Sequence, residues 1–203
     1  GPGDKVITTI SGTVNYYGGT KTVPGVSIAV SGDLSTTVVT DAAGAFSFVA
    51  DAGARFAVAP GKTTETPVYQ GVTTLDLAMI RRHILGIASL DSPYRILAAD
   101  VNDSSAVTTL DMALIRRVIL ATSDGFPGGL WSFVPSDFQF GDPLNPWPIE
   151  SVRNYSGLIE NKPRQDFVGI KHGDVNGSWT APVVTASVLS AGNAGRQTAL
   201  QSA

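Results

Sequence analysis

Apolar and polar residues alternate along the first part of the chain. Val26, Ile28 and Val30 alternate with small or polar neighbours, and Phe46 and Phe48 flank a serine. Half-buried antiparallel strands have this two-residue period. Five strand-like runs, 7–16, 23–30, 35–39, 45–50 and 55–59, are separated by Gly, Pro and Asp turns such as Gly18-Gly19, Pro24-Gly25 and Gly32-Asp33. Short strands so closely spaced predict a small antiparallel β-sandwich over 1–62.

Beyond residue 70 the period changes. Residues 72–86 read VTTLDLAMIRRHILG and residues 107–121 read VTTLDMALIRRVILA, an offset of 35 with 11 of 15 positions identical. This is an internal duplication. Each copy opens on Thr-Thr and an Asp, the residues that start helices. Leu77, Ile80, Ile84 and Leu85 in the first copy, and Met112, Ile115, Ile119 and Leu120 in the second, follow at helical spacing and predict two equivalent core-facing helices.

Composition narrows the chemistry. An apolar content of 43% over 203 residues is enough for a core. With 14 basic against 17 acidic residues, the chain lacks the positive excess of a nucleic-acid binder. No apolar run approaches the roughly 18 residues of a membrane span. There are no cysteines and only two histidines, His83 and His172, which excludes disulfides and thiol chemistry and leaves little for a transition-metal centre. Of the acids, 14 are Asp and three are Glu, a bias toward turns, caps and hard-cation loops. Gly1-Pro2-Gly3 reads as the scar of a protease cut, so a leader would lie outside the sequence.

Asp gathers where the duplication begins. Before the second helix, Asp100, Asn102, Ser104, Thr108 and Asp111 occupy positions 1, 3, 5, 9 and 12 of a 12-residue loop. Calcium takes six to eight oxygen ligands, and a loop of this spacing wraps the ion. Asp100, Asn102 and Ser104 would point inward, Ala106 would offer its carbonyl, Thr108 would act through water, and Asp111 would close the sphere. The plainer alternative is an Asx-turn joined to a helix cap.

With this D-x-N-x-S loop, the helix after it and the basic pair Arg116-Arg117 (Arg81-Arg82 in the first copy), the chain resembles the dockerin family of duplicated calcium modules. The resemblance implies a non-catalytic module that binds a cohesin-like domain through Arg81, Arg82, Arg116 and Arg117. It also implies a secreted or cell-surface setting, with a polysaccharide-associated assembly as one context. Two departures stand out. Ser105 fills position 6, where such loops carry Gly, and the first copy has no upstream half-loop, since Glu65, Pro67 and Tyr69 fall at positions 1, 3 and 5. The missing half recurs at Asp174, Asn176 and Ser178. A split site follows as an expectation, with these three joined by the Gly71 carbonyl, Thr73 and Asp76. The module would then be circularly rearranged and would hold two calcium ions.

The sandwich has a resemblance of its own. The stretch TDAAGAFSF at 40–48, with ISGTV at 10–14 and VPGV at 23–26, resembles the carboxypeptidase-regulatory-like, transthyretin-like β-sandwich family, whose domains are mostly spacers or adhesive modules. The expected organisation is α+β and multidomain: sandwich 1–62, calcium module 63–180 with an aromatic and proline-rich insert at 122–172, and a linker or tail at 181–203. The insert is too aromatic for a flexible linker. Trp131 to Val134 and Phe167 to Ile170 are expected to pair as strands within a cover packed on the two helices. Two alternatives to a docking module stand beside it: a calcium-stiffened spacer of an adhesin, and a carbohydrate-binding surface built on Trp131 and Trp147. No nucleophile–base pair stands out, so an enzyme is not expected.

Overall fold

The computed structural model describes residues 6–182. All but the first two residues of the expected tail at 181–203 lie outside the described residues. Among the described residues the architecture is α+β, as expected: eight strands in two four-stranded sheets, and three helices. The first five strands fall on the periodic runs: β1 (Ile7–Tyr16), β2 (Ser27–Gly32), β3 (Thr36–Val39), β4 (Ala45–Asp51) and β5 (Phe56–Gly61). Their buried residues alternate, with Phe46, Phe48 and Ala50 of β4 inward and Ser47, Val49 and Asp51 outward.

The duplicated segments form α1 (Thr74–Ile84) and α3 (Thr109–Ile119), and a shorter α2 (Pro93–Ala99) lies between them. Both long helices start at a capping box. Thr73 and Thr108 cap their own helices, and Asp76 and Asp111 reach back to the cap N–H. Helix α2 escapes a reading based on duplication, although Ser92-Pro93 is a recognisable start, with Pro at the first helical position. Ile80 and Ile115 are fully buried, and α1 packs on α3. Leu85 and Leu120, expected on the core face, are instead exposed. Each sits at its helix's C-cap, where the chain turns away from the core.

The insert supplies β6 (Trp131–Pro135), β7 (Arg153–Tyr155) and β8 (Phe167–Lys171). The expected pairing of Trp131–Val134 with Phe167–Ile170 is present as β6 against β8. The strands do more than cover the helices, however. One sheet runs β4-β1-β8-β6 and the other β3-β2-β5-β7, so both sheets borrow strands from 131–171. The sandwich is also not wholly antiparallel, because β8 runs parallel to β1 with Val14 opposite Phe167. Parallel neighbours need a long crossover, and here the whole helical segment lies within that connection. Buried residues of the sheets, of α1 to α3 and of the 174–179 segment form one continuous apolar cluster.

Candidate metal centre

Two loops in this fold share one hydrogen-bond pattern. In the contiguous loop, Asp100 Oδ1 accepts from Ser104 N at 2.9 Å and Oδ2 from Ser105 N at 2.8 Å. Val101 N donates to Asp111 Oδ1 at 3.1 Å, and Ser104 Oγ reaches the Ala106 carbonyl at 3.2 Å. Thr108 donates to Asp111 Oδ2 through N at 2.8 Å and Oγ1 at 3.0 Å.

The second loop is assembled from two distant segments. Asp174 Oδ1 accepts from Ser178 N at 3.1 Å and Oδ2 from Trp179 N at 2.7 Å. Val175 N donates to Asp76 Oδ1 at 2.9 Å, and Ser178 Oγ reaches the Gly71 carbonyl at 2.9 Å. Thr73 donates to Asp76 Oδ2 through N and Oγ1, both at 2.8 Å. Every one of these bonds has its counterpart at the same loop position in the contiguous copy. Residues 71–76 and 174–179 therefore lie together as one loop of the same form as 100–111, about 100 residues apart along the chain.

Backbone conformation corresponds at position 4 and differs at positions 6 and 7, where Ser105 and Gly71 have positive φ and Trp179 and Ala106 do not. Asp103 and Gly177, both at position 4, have φ of 57° and 72°. Ser105 takes φ of 61°, the left-handed conformation for which a loop of this type uses Gly, and its N–H still reaches Asp100. The departure at position 6 therefore puts strain on Ser105 without breaking the turn. Gly71 has φ of 79°, and a Cβ there would lie 2.7 Å from Trp179 Cα. Only glycine allows the two segments to close so tightly.

The loops suit a hard cation. The oxygen-bearing groups of both loops are carboxylate, amide, hydroxyl and carbonyl, the donor set of calcium. Asn102 Oδ1 is buried without a hydrogen-bond partner, which is costly unless something electropositive faces it. Asp76, Asp111 and Asp174 are fully buried and Asp100 nearly so. Burial holds the Asp76 carboxyl above its ordinary range, with the nearby Asp174 charge adding to the effect and the Thr73 donors opposing it. Burial likewise raises Asp100, with Asp111 adding to it. A divalent cation between the carboxylates would favour their charged forms and offset both the burial and the mutual repulsion. Among the described residues no group of three or more His, Cys, Asp or Glu side chains gathers, so a thiolate or imidazole centre has no donor set.

Other candidates resolve as structure. His83 Nδ1 accepts from Leu90 N at 3.2 Å and ties down the turn after α1. His172 is buried and its pKa is pushed down to about 4 by that burial. Its Nδ1 faces the Gly129 carbonyl and its Nε2 lies 2.6 Å from Ser132 Oγ, so it joins β6 to the end of β8 rather than touching either loop. Trp131 is 7% exposed and its Nε1 donates to buried Glu65. It therefore cannot serve as half of an exposed sugar platform, and Trp147 is only half-buried. Arg81, Arg82, Arg116 and Arg117 are exposed, and among the described residues none pairs with a carboxylate. Sequence reasoning missed Tyr16, Tyr17 and Lys21, which contact the 174–179 segment, and Trp179 within it, whose N–H donates to Asp174. Nothing in their local pattern distinguishes them from ordinary strand and turn residues.

Residues 70–125, a little over a quarter of the chain, match the family model of the dockerin type I domain. No curated protein and no solved structure matches the chain. The matched segment is thus a dockerin-like module, of a class that is non-catalytic, binds calcium and mediates protein–protein assembly. The match covers α1, α2, α3 and the contiguous loop, and it stops well short of Asp174. No helix among the described residues is long and apolar enough to cross a membrane.

Proposed function

We propose that this chain is a calcium-dependent docking module of a secreted or cell-surface protein, without catalytic activity of its own. It binds two calcium ions. One is held by Asp100, Asn102, Ser104, the Ala106 carbonyl, Thr108 and Asp111. The other is held by Asp174, Asn176, Ser178, the Gly71 carbonyl, Thr73 and Asp76, in a module whose first loop is circularly rearranged. The observation that carries this reading is the bond-for-bond correspondence of the two loops, with the partnerless Asn102 Oδ1 supporting it.

The docking face lies on α1 and α3. Leu75 and Leu110 are exposed at equivalent places, as are Leu85 and Leu120. Arg82 and Arg117 lie seven residues beyond Leu75 and Leu110, on the same side of their helices. Apolar side chains beside unpaired arginines suit a cohesin-like domain that offers an apolar patch with carboxylates around it. A calcium-stiffened spacer is the second reading, favoured by the core that the sheets share with the helices.

Calorimetric calcium titration of the full chain tests the metal assignment. Two sites are expected; Asp76→Ala and Asp174→Ala should each abolish the same one, and Asp111→Ala the other. Loss of different sites from Asp76→Ala and Asp174→Ala would sink the split loop. Replacing Arg81, Arg82, Arg116 and Arg117 with Glu should abolish capture of a cohesin-like domain while leaving Tm nearly unchanged. A wild-type chain that captures no such domain, yet stiffens on adding calcium, would favour the spacer.

A further inference from the structure

We infer that strand β1 is a working part of the split calcium site: Tyr16 and Tyr17 position Asp174 for the ion, and through them occupancy of that site is coupled to the sandwich. This rests on the two-ion reading and deepens it. Tyr16 OH donates to Asp174 Oδ2 at 2.6 Å, and Tyr17 OH donates to the Asp174 carbonyl. Lys21, just beyond the strand, donates to the Gly177 carbonyl at 2.7 Å and the Trp179 carbonyl at 2.8 Å. The rings pack as one cluster, with centroids 4.8 Å apart for Tyr16 and Tyr17 and 4.9 Å for Tyr16 and Trp179.

Among the described residues, the Asp100 carboxylate of the contiguous loop has no such brace from outside its loop. Asp100 takes its hydrogen bonds from Ser104 and Ser105 of its own loop. Asp174 Oδ2, by contrast, is saturated by a sandwich hydroxyl and the Trp179 N–H. That leaves Oδ1, with its single donor from Ser178, as the oxygen with a lone pair free for an ion. Hydrogen bonds to the far oxygen of a liganding carboxylate fix its orientation, and removing such a partner typically costs about 10- to 100-fold in metal affinity. The two segments of the split loop also have no short chain link, so an external brace replaces the continuity that the other loop enjoys. Binding at one end of a hydrogen-bonded assembly stabilises the other end by the same coupling.

The test is a two-site calcium titration of the full chain and of Tyr16→Phe, Tyr17→Phe and Lys21→Met, combined with amide hydrogen exchange. Tyr16→Phe is expected to weaken one site by about ten- to a hundredfold and leave the other unchanged. In a chain carrying Asp100→Ala, which keeps only the split site, calcium should slow exchange across β1. In one carrying Asp174→Ala, calcium should leave β1 unprotected. If the wild type binds no calcium, the metal reading itself fails. If it binds two ions, and the tyrosine and Lys21 variants change neither affinity while calcium leaves β1 exchange unaltered in the Asp100→Ala chain, the brace is refuted and the two-ion reading stands. Should a tyrosine variant fail to fold, Lys21→Met and the exchange arms decide.

Discussion

At the residue scale the duplication works as an internal control, because two copies of one design differ at a few positions. After α1 the chain leaves the helix through Gly86, at φ of 66°; after α3 the equivalent residue is Ala121, held at φ of 52°. A side chain in that conformation costs roughly 1–2 kcal/mol. Ala121→Gly should therefore stabilise the protein by about 1 kcal/mol, raising Tm by roughly 2–4 °C in a chain of this size. A lower Tm would show that the Ala121 methyl group packs more usefully than its backbone strain suggests. Lys171 offers a second residue-level test. It is fully buried against Phe126, with Nζ on the Val68 carbonyl, and burial pushes its pKa down to about 8 from 10.5. Between those values the unfolded chain binds a proton that the folded chain lacks, so stability should rise with pH from about 8 toward 10. Above 10 the trend should reverse, since half-buried Tyr155 is pushed up to about 12 and keeps its proton longer when folded. Denaturant titrations across this range should show the rise in wild type and lose it in Lys171→Met.

At the scale of elements, the helices were legible because one repeat stated their start, face and register twice. Leu85 and Leu120 were misplaced because periodicity does not say where a helix turns away from its support. The loops were legible because oxygen-bearing side chains recur at the same positions, 1, 3, 5, 9 and 12, in both copies. Their joining was an expectation drawn from comparing the copies, since the first lacks its upstream half and 174–178 repeats it; the contact of Val175 with Asp76 belongs to the tertiary structure. Gly71 marks that junction. Gly71→Ala would force a left-handed alanine and set its methyl group 2.7 Å from Trp179 Cα. A cost of at least about 2 kcal/mol is expected, together with weakened calcium binding at the split site. Ala106→Gly, at the matching place in the contiguous loop, should be far milder. Equal effects of the two substitutions, read by thermal melts and calorimetry, would argue against a tight contact between the segments.

At the scale of the molecule, strands from 131–171 complete both sheets begun by 7–61, and the helices share the same apolar core. Such a body should unfold as one unit. Near-UV signals from the buried tryptophans and far-UV helical signal should melt together. A chelator should lower both by the same amount, about 2.7 kcal/mol for each site that had been held at a hundred times its Kd. Two separate transitions would show that the sandwich and helical parts are independent. The order of β1 to β5, α1, α3, β6 and β8, the capping boxes, the oxygen pattern of the contiguous loop and the existence of a stray half-loop at 174–178 were written in the sequence, because each depends on residues within a dozen positions of one another; α2 and β7 were not expected from it. Folding alone decided that β8 lies parallel to β1, that Trp131 turns inward to Glu65, and that Tyr16 meets Asp174. Those pairings span from 66 to 158 residues and are selected by burial of a common core, which local pattern does not encode.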